Sequence, residues 1–316
     1  MPSYNFRINF RLSGGDSINH DSPDLEILAV GDGPGLMLKG LGVKPEIKDV
    51  KELLLIGGPF PTATEAAEAG QRALAALYVF SLQSRVGLDL GHVKEGGGGP
   101  SDYAKQSLKE KLGLSALGNV PGLSIYEAGS TVFVGFDALL SRGHAKNRFV
   151  EQIAGVYPEP PNLSDRQTLA IEIYMASHFE ESPRTRFVTL VIAVEALMTP
   201  APRTREGRQL VDHLQELVKK SALSEEEIES LLGSLEYLKE ESKGKTGRAL
   251  AKKLLGDKTY GGKKAEDFFK HCYPIRSQIV HTGKPKDPQL NLRELAGQAE
   301  EFVADLLKAS IGLPLA

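Results

Sequence analysis

The chain has 316 residues, 41% of them hydrophobic and 25% charged, with a formal net charge of −3. That mixture is expected of a soluble globular protein long enough for two ordinary domains, and it excludes a globally basic, DNA-coating protein. A single cysteine, Cys272, excludes an internal disulfide framework and any cysteine-built metal cage.

In chain order, Tyr4 to Leu12 alternates apolar and polar residues and predicts a strand. Leu25 to Val30 and Leu53 to Gly57 read as further strands, and Gly31 to Gly35 between them reads as a turn. Thr64 to Leu90 carries apolar residues at helical spacing, and Ser130 to Phe136 returns to strand character. The run Gly96 to Gly99 lacks the Gly-Lys-Ser/Thr ending of a phosphate loop and reads as a surface loop. Three prolines fall between Pro158 and Pro161, so the domains are cut there, into an α+β domain over 1–155 and an all-α bundle over 164–316. The role of the first is open among sensing, partner docking and regulation.

The second half predicts helices over Asp165 to Phe179, Pro183 to Met198, Thr204 to Lys220, Glu225 to Glu241, Gly247 to Leu255, Lys263 to His281 and Leu290 to Leu307. Ser182 caps and Pro183 opens the second of these, which is apolar on nearly every side and is expected at the centre of the bundle. Glu195 is its one charge after Arg186. A carboxylate there needs a cation, and Arg276 is the matching misfit, placed near the middle of an apolar stripe of Phe268, Phe269, Cys272, Tyr273, Ile275, Ile279 and Val280. Two readings stay open: a purely structural ion pair, or a carboxylate that orients Arg276 to grip a phosphate.

His281 stands where Thr282-Gly283-Lys284-Pro285 must end its helix, and the negative end of the helix dipole there favours an imidazolium. An exposed imidazole suits a general acid and base near neutral pH. Ser277 lies one helical turn before it on the same flank, and Pro274, which cannot donate a backbone hydrogen bond, is expected to kink the helix just before Arg276.

Tyr273-Pro-Ile-Arg-Ser-Gln-Ile-Val-His-Thr-Gly283, preceded by the buried helix Phe187 to Leu197, resembles the HEPN superfamily and in particular its Apea-like branch, over about residues 164 to 310. The family motif of Arg, four to six residues, then His maps onto Arg276 and His281, with Glu195 on the matching inner helix. Spacing alone does not select this pair, because Arg85/His92 and Arg208/His213 also satisfy it; the aromatic helix before and the Val-His-Thr-Gly stop after do. Ser277 departs from the Asn, Asp or His that many catalytic members carry after the arginine. The resemblance implies metal-independent cleavage of RNA, with tRNA one candidate, by a homodimer that brings two Arg and His pairs to one cleft. It also implies a setting in antiviral defence or a toxin system, where the first domain meets a trigger or an antitoxin. It equally covers non-catalytic members that bind RNA or nucleotide and dimerise. A third reading is an unrelated helical protein in which Glu195 and Arg276 merely brace the bundle.

Charge reverses along the second half. The stretch from 224 to 241 is acidic, whereas Lys243 to Lys270 holds nine basic residues against three acids. Lys263, Lys264 and Lys270, with Arg203 and Arg208 after the buried helix, are therefore candidate RNA contacts. No Gly-x-Ser-x-Gly elbow, His-Glu-x-x-His helix or calcium loop is present, so no metal or cofactor is implied. Neither a signal pattern nor a run of about 18 to 20 apolar residues appears, and a cytoplasmic protein with no membrane contact is expected.

Overall fold

A computed structural model describes residues 3–315 apart from 15, 30–33, 42–45, 51, 92–105, 107–108, 111–114, 119–121, 130 and 135–141. The loop expected at Gly96 to Gly99, most of the turn at 31–35, and His92 of the alternative motif lie outside the described residues.

The predicted first strand, β1 (Tyr4–Leu12), is central to an antiparallel sheet. It pairs with β5 (Glu52–Phe60) on one side and, on the other, with β8 (Gly122–Glu127) and β6 (Leu88–Asp89). Outside β5 lie β4 (Gly35–Gly40) and the edge strand β3 (Asp24–Leu28). Phe6, Ile8 and Phe10 point to one face and are fully buried, as their alternation requires. Arg7 and Asn9 on the opposite face are buried too, and desolvation lowers the pKa of Arg7 to about 10.

Helix α1 (Ala63–Ser84) packs against β1, β5 and β8. The hydroxyl of Thr62 caps it by accepting from the Glu65 amide at 3.2 Å. Its inward side is built from small residues, Ala66, Ala69, Gly70 and Ala73, and a Cβ on Gly70 would stand 2.5 Å from Leu123. The helix stops short of Leu90 because Arg85 takes a left-handed conformation with φ 52°, which releases Leu88 and Asp89 into β6. A second helix that the sequence reading did not anticipate, α2 (Lys146–Val156), sets Phe149 edge-on to Phe80 at 4.8 Å. Two small parallel pairings, β2 (Asp16–Asn19) with β10 (Arg142–Ala145) and β7 (Ser115–Gly118) with β9 (Thr131–Val134), complete this α+β unit.

The chain divides into two compact units, one of 1–163 with Tyr174–Glu181 and one of Ser164–Ile173 with 182–316. The division passes through α3 (Asp165–Ser177).

The second unit is helical. It holds α4 (Pro183–Leu197), α5 (Arg205–Lys219), α6 (Glu225–Tyr237), α7 (Lys243–Leu255), α8 (Ala265–Thr282) and α9 (Leu292–Ser310). One departure from all-α character is a two-residue hairpin, β11 (Thr259–Tyr260) with β12 (Lys263–Lys264), turned by Gly261 and Gly262 at φ 53° and 74°. It shortens the expected start of α8 from Lys263 to Ala265. Helix α7 begins earlier than Gly247, because the Ser242 hydroxyl accepts from the Lys245 amide and starts the helix at Lys243. The core is aromatic: Phe268 and Phe302 lie 5.3 Å apart and Tyr260 stands edge-on to Phe302 at 5.2 Å. Helix α8 runs unbroken through Pro274 from Ala265 to Thr282, so the residue expected to kink it is accommodated within one helix.

Candidate functional site

Helices α4, α7 and α8 pack against one another, and each contributes one charged side chain to a single cluster. Glu195 lies near the end of α4, only 8% exposed. One of its oxygens, Oε1, faces the Arg276 guanidinium of α8 at 3.0 Å; the other accepts a hydrogen bond from Lys243 at the start of α7, also at 3.0 Å. Arg276 is 19% exposed and Lys243 66%. The cluster therefore runs from the bundle interior to its surface, with one anion and two cations. Arg276 Nε is buried and has no hydrogen-bond partner among the described residues.

The pairing of Glu195 with Arg276 is the one the sequence pointed to. Lys243 was missed as a partner, although a lone buried carboxylate has two oxygens to satisfy, and a lysine just after a serine cap opened the basic run. Arg276 is also less central than expected. The buried residues of α8 are Ala265, Phe268, Phe269, Cys272, Ile275 and Ile279, whereas Val280 is 51% exposed. Val280 follows Arg276 by one turn, so the apolar stripe expected to enclose the arginine ends beside it.

His281 is exposed at the last turn of α8, where Gly283 takes φ 77° and its amide bonds to Ile279 O at 2.8 Å. No hydrogen bond or ion pair joins its imidazole to another described residue. Ser277 lies a turn earlier and is partly buried. Arg276 and His281 are not brought together within the chain. Five residues of helix separate them by about 140° around the axis and about 7.5 Å along it.

The basic run is largely neutralised within the fold. Lys245 pairs with Glu241, Arg248 with Asp267, Lys252 with Glu266, Lys258 with Asp305, and the candidate contact Lys264 with Asp257 at 2.7 Å. Arg203 is used structurally: its Nε donates to Leu238 O at 2.6 Å and its amide to Lys239 O at 2.8 Å. Arg208, Lys263 and Lys270 remain exposed without a partner among the described residues. The positive surface is thus much smaller than the count of lysines suggested.

Burial, followed by nearby Lys263, sets the two titratable neighbours on α8. His271 is lowered by desolvation and then by Lys263, and desolvation raises the Cys272 thiol to about 12. Among the described residues no group of three or more His, Cys, Asp and Glu side chains is gathered in metal-binding fashion, and no helix is long and apolar enough to cross a membrane. No family model, curated protein or solved structure matches this chain.

Proposed function

We propose that the helical unit is a HEPN-like domain acting as a metal-independent endoribonuclease. Arg276 would neutralise the scissile phosphate and His281 would move the proton. The observation that carries this reading is the pairing of Arg276 with Glu195 at 3.0 Å, together with an exposed, unpartnered His281 on the same helix. A neutral imidazole can take the proton of a ribose 2′-OH as the 2′-oxygen attacks phosphorus. The phosphorus bond to the 5′-oxygen breaks, and that oxygen leaves with a proton returned by the imidazolium. The products are a 2′,3′-cyclic phosphate and a 5′-hydroxyl. Arg276 and Lys243 would bear the charge that grows on the phosphorane oxygens.

Because one chain turns Arg276 and His281 to different sides of α8, the reading needs a second copy to complete each site, which agrees with the homodimer that the resemblance implies. The same separation favours a second reading, a non-catalytic module that binds RNA through Arg276 and Lys243 and dimerises.

The test is incubation of the full chain with end-labelled tRNA and a mixed-sequence RNA in EDTA, beside His281→Ala and Arg276→Ala. Cleavage by wild type alone, with cyclic-phosphate ends, is the expected result. Binding without cleavage in all three would replace the nuclease with the module.

A further inference from the structure

On the side of α8 away from Glu195, the helix and the segment that follows it enclose a cleft of about 320 Å³. Lys270, His271, Pro274, Ile275 and Gln278 line it from the helix, and Pro285, Lys286, Asp287 and Leu290 from the segment. The segment is fastened where the Lys286 amide donates to Gln278 Oε1 at 3.0 Å and where Arg184 Nη1 donates to Gly283 O at 2.8 Å. The cleft is therefore a formed feature of the unit.

Its chemistry is lopsided. The side chains of Lys270, His271 and Lys286 have no hydrogen-bond or ion-pair partner among the described residues, whereas most lysines of the preceding run do. The one acid in the lining, Asp287, accepts from the Gln289 amide at 2.9 Å. Pro274, Ile275, Pro285 and Leu290 supply the apolar part. Two lysines without an ion pair, against one acid, leave a partly apolar concavity with a net positive lining, and a ligand that fits brings both an anion and an apolar body.

We propose that this cleft binds a phosphate monoester carried on an apolar organic body. Lys270, His271 and Lys286 hold the phosphate, while Pro274, Ile275 and Leu290 take the body. Two sources share this chemistry: a free small-molecule ester and the phosphorylated end of an RNA strand. The site is separate from Arg276 and His281 and stands whether or not the chain cuts RNA.

Full-length protein is titrated calorimetrically with 4-methylumbelliferyl phosphate, with its dephosphorylated parent, and with inorganic phosphate. A parallel arm uses a short single-stranded RNA bearing a 5′-phosphate or a 5′-hydroxyl. The ester is expected to bind more tightly than either control, and Lys270→Ala and Lys286→Ala, both exposed and checked for folding by circular dichroism, are each expected to weaken it about ten-fold. Ester binding without discrimination between the two RNAs assigns the site to a free ligand. Preference for the 5′-phosphorylated RNA, lost in both variants, assigns it to the strand end. The proposal is overturned if neither the ester nor the phosphorylated RNA binds, if binding is equal in the folded variants, or if inorganic phosphate binds as well as the ester.

Discussion

Glu195 and Arg276 lie 81 positions apart in sequence and 3.0 Å apart in space, joining the end of α4 to the second half of α8. Removing either partner leaves the other poorly solvated, while Lys243 reaches the same carboxylate from its exposed side. Arg276→Ala is expected to cost about 2 kcal/mol, below the loss for a fully buried pair because Lys243 remains. Urea unfolding of Arg276→Ala, Glu195→Gln and the double variant measures this. Losses that simply add would show that the two side chains do not interact.

His281→Ala is expected to change stability by no more than about 0.5 kcal/mol, since the ring is exposed and its favourable interaction with the helix end is small. Thermal unfolding beside wild type checks it. With that result, any lost RNA cleavage is read as lost chemistry and not as lost fold.

Gly247 lies buried in α7, where an added Cβ would stand 2.3 Å from the Phe269 ring and 2.4 Å from Met198 Cε. Alanine gains about 1 kcal/mol of helix propensity. The methionine end can move, but Phe269 is held among Tyr273 and Phe302. The clash should dominate, so Gly247→Ala is expected to lower stability by about 1 kcal/mol net. A raised melting temperature would contradict this account of the packing.

Particular residues show what could be read before the structure. The alternation at Phe6, Ile8 and Phe10 was enough to find β1, and the Ser182-Pro183 start was enough to find α4. Helix α2 gave no such signal: only Phe149 and Ile153 are buried, and no side chain caps its start. The Gly261-Gly262 hairpin did carry a turn signal, but strands of two residues are too short for a period to develop. Helical spacing placed Arg276 on the apolar side of α8, yet a wheel does not show where that side meets solvent, which the exposure of Val280 settles. Nor does a count of lysines show that acids elsewhere neutralise them. Asp305, buried in α9, does so for Lys258 at 3.0 Å across nearly fifty residues.

The Cys272 thiol, pushed up to about 12 by burial, is expected to resist alkylation in the folded protein at pH 8 and to react once the chain is unfolded. Above pH 9.0, the ordinary value of a thiol, the unfolded chain has lost this proton while the folded state still holds it. The group's contribution to stability is therefore present below pH 9 and declines as pH rises from there towards about 12. Mass-spectrometric labelling with and without urea gives the answer.

His271 is expected to titrate below the ordinary imidazole value of 6.5, chiefly through desolvation and secondarily through Lys263. Its folded pKa lies below its unfolded one, so its contribution is complete above pH 6.5 and is lost as pH falls past that value. Lys270, Lys286 and Asp287 are the other charged residues that line the cleft beside it. Resonance titration of the ring protons, with Lys263→Ala expected to move the midpoint upward, tests both causes.

Tyr174–Glu181 belongs to the first unit although residues on both sides of it belong to the second. Gly87 shows how tightly that segment is seated: a Cβ there would stand 2.6 Å from His178 Cβ and 2.7 Å from Met175 O. No single scission of the polypeptide can then yield two self-sufficient halves. A fragment starting at Ser164 would carry Tyr174, Met175 and Ser177, all buried in the full chain, without the rest of the first unit. Recombinant work on the helical half alone would meet a sticky, solvent-facing segment that a domain swap or a limited digest would inherit as well.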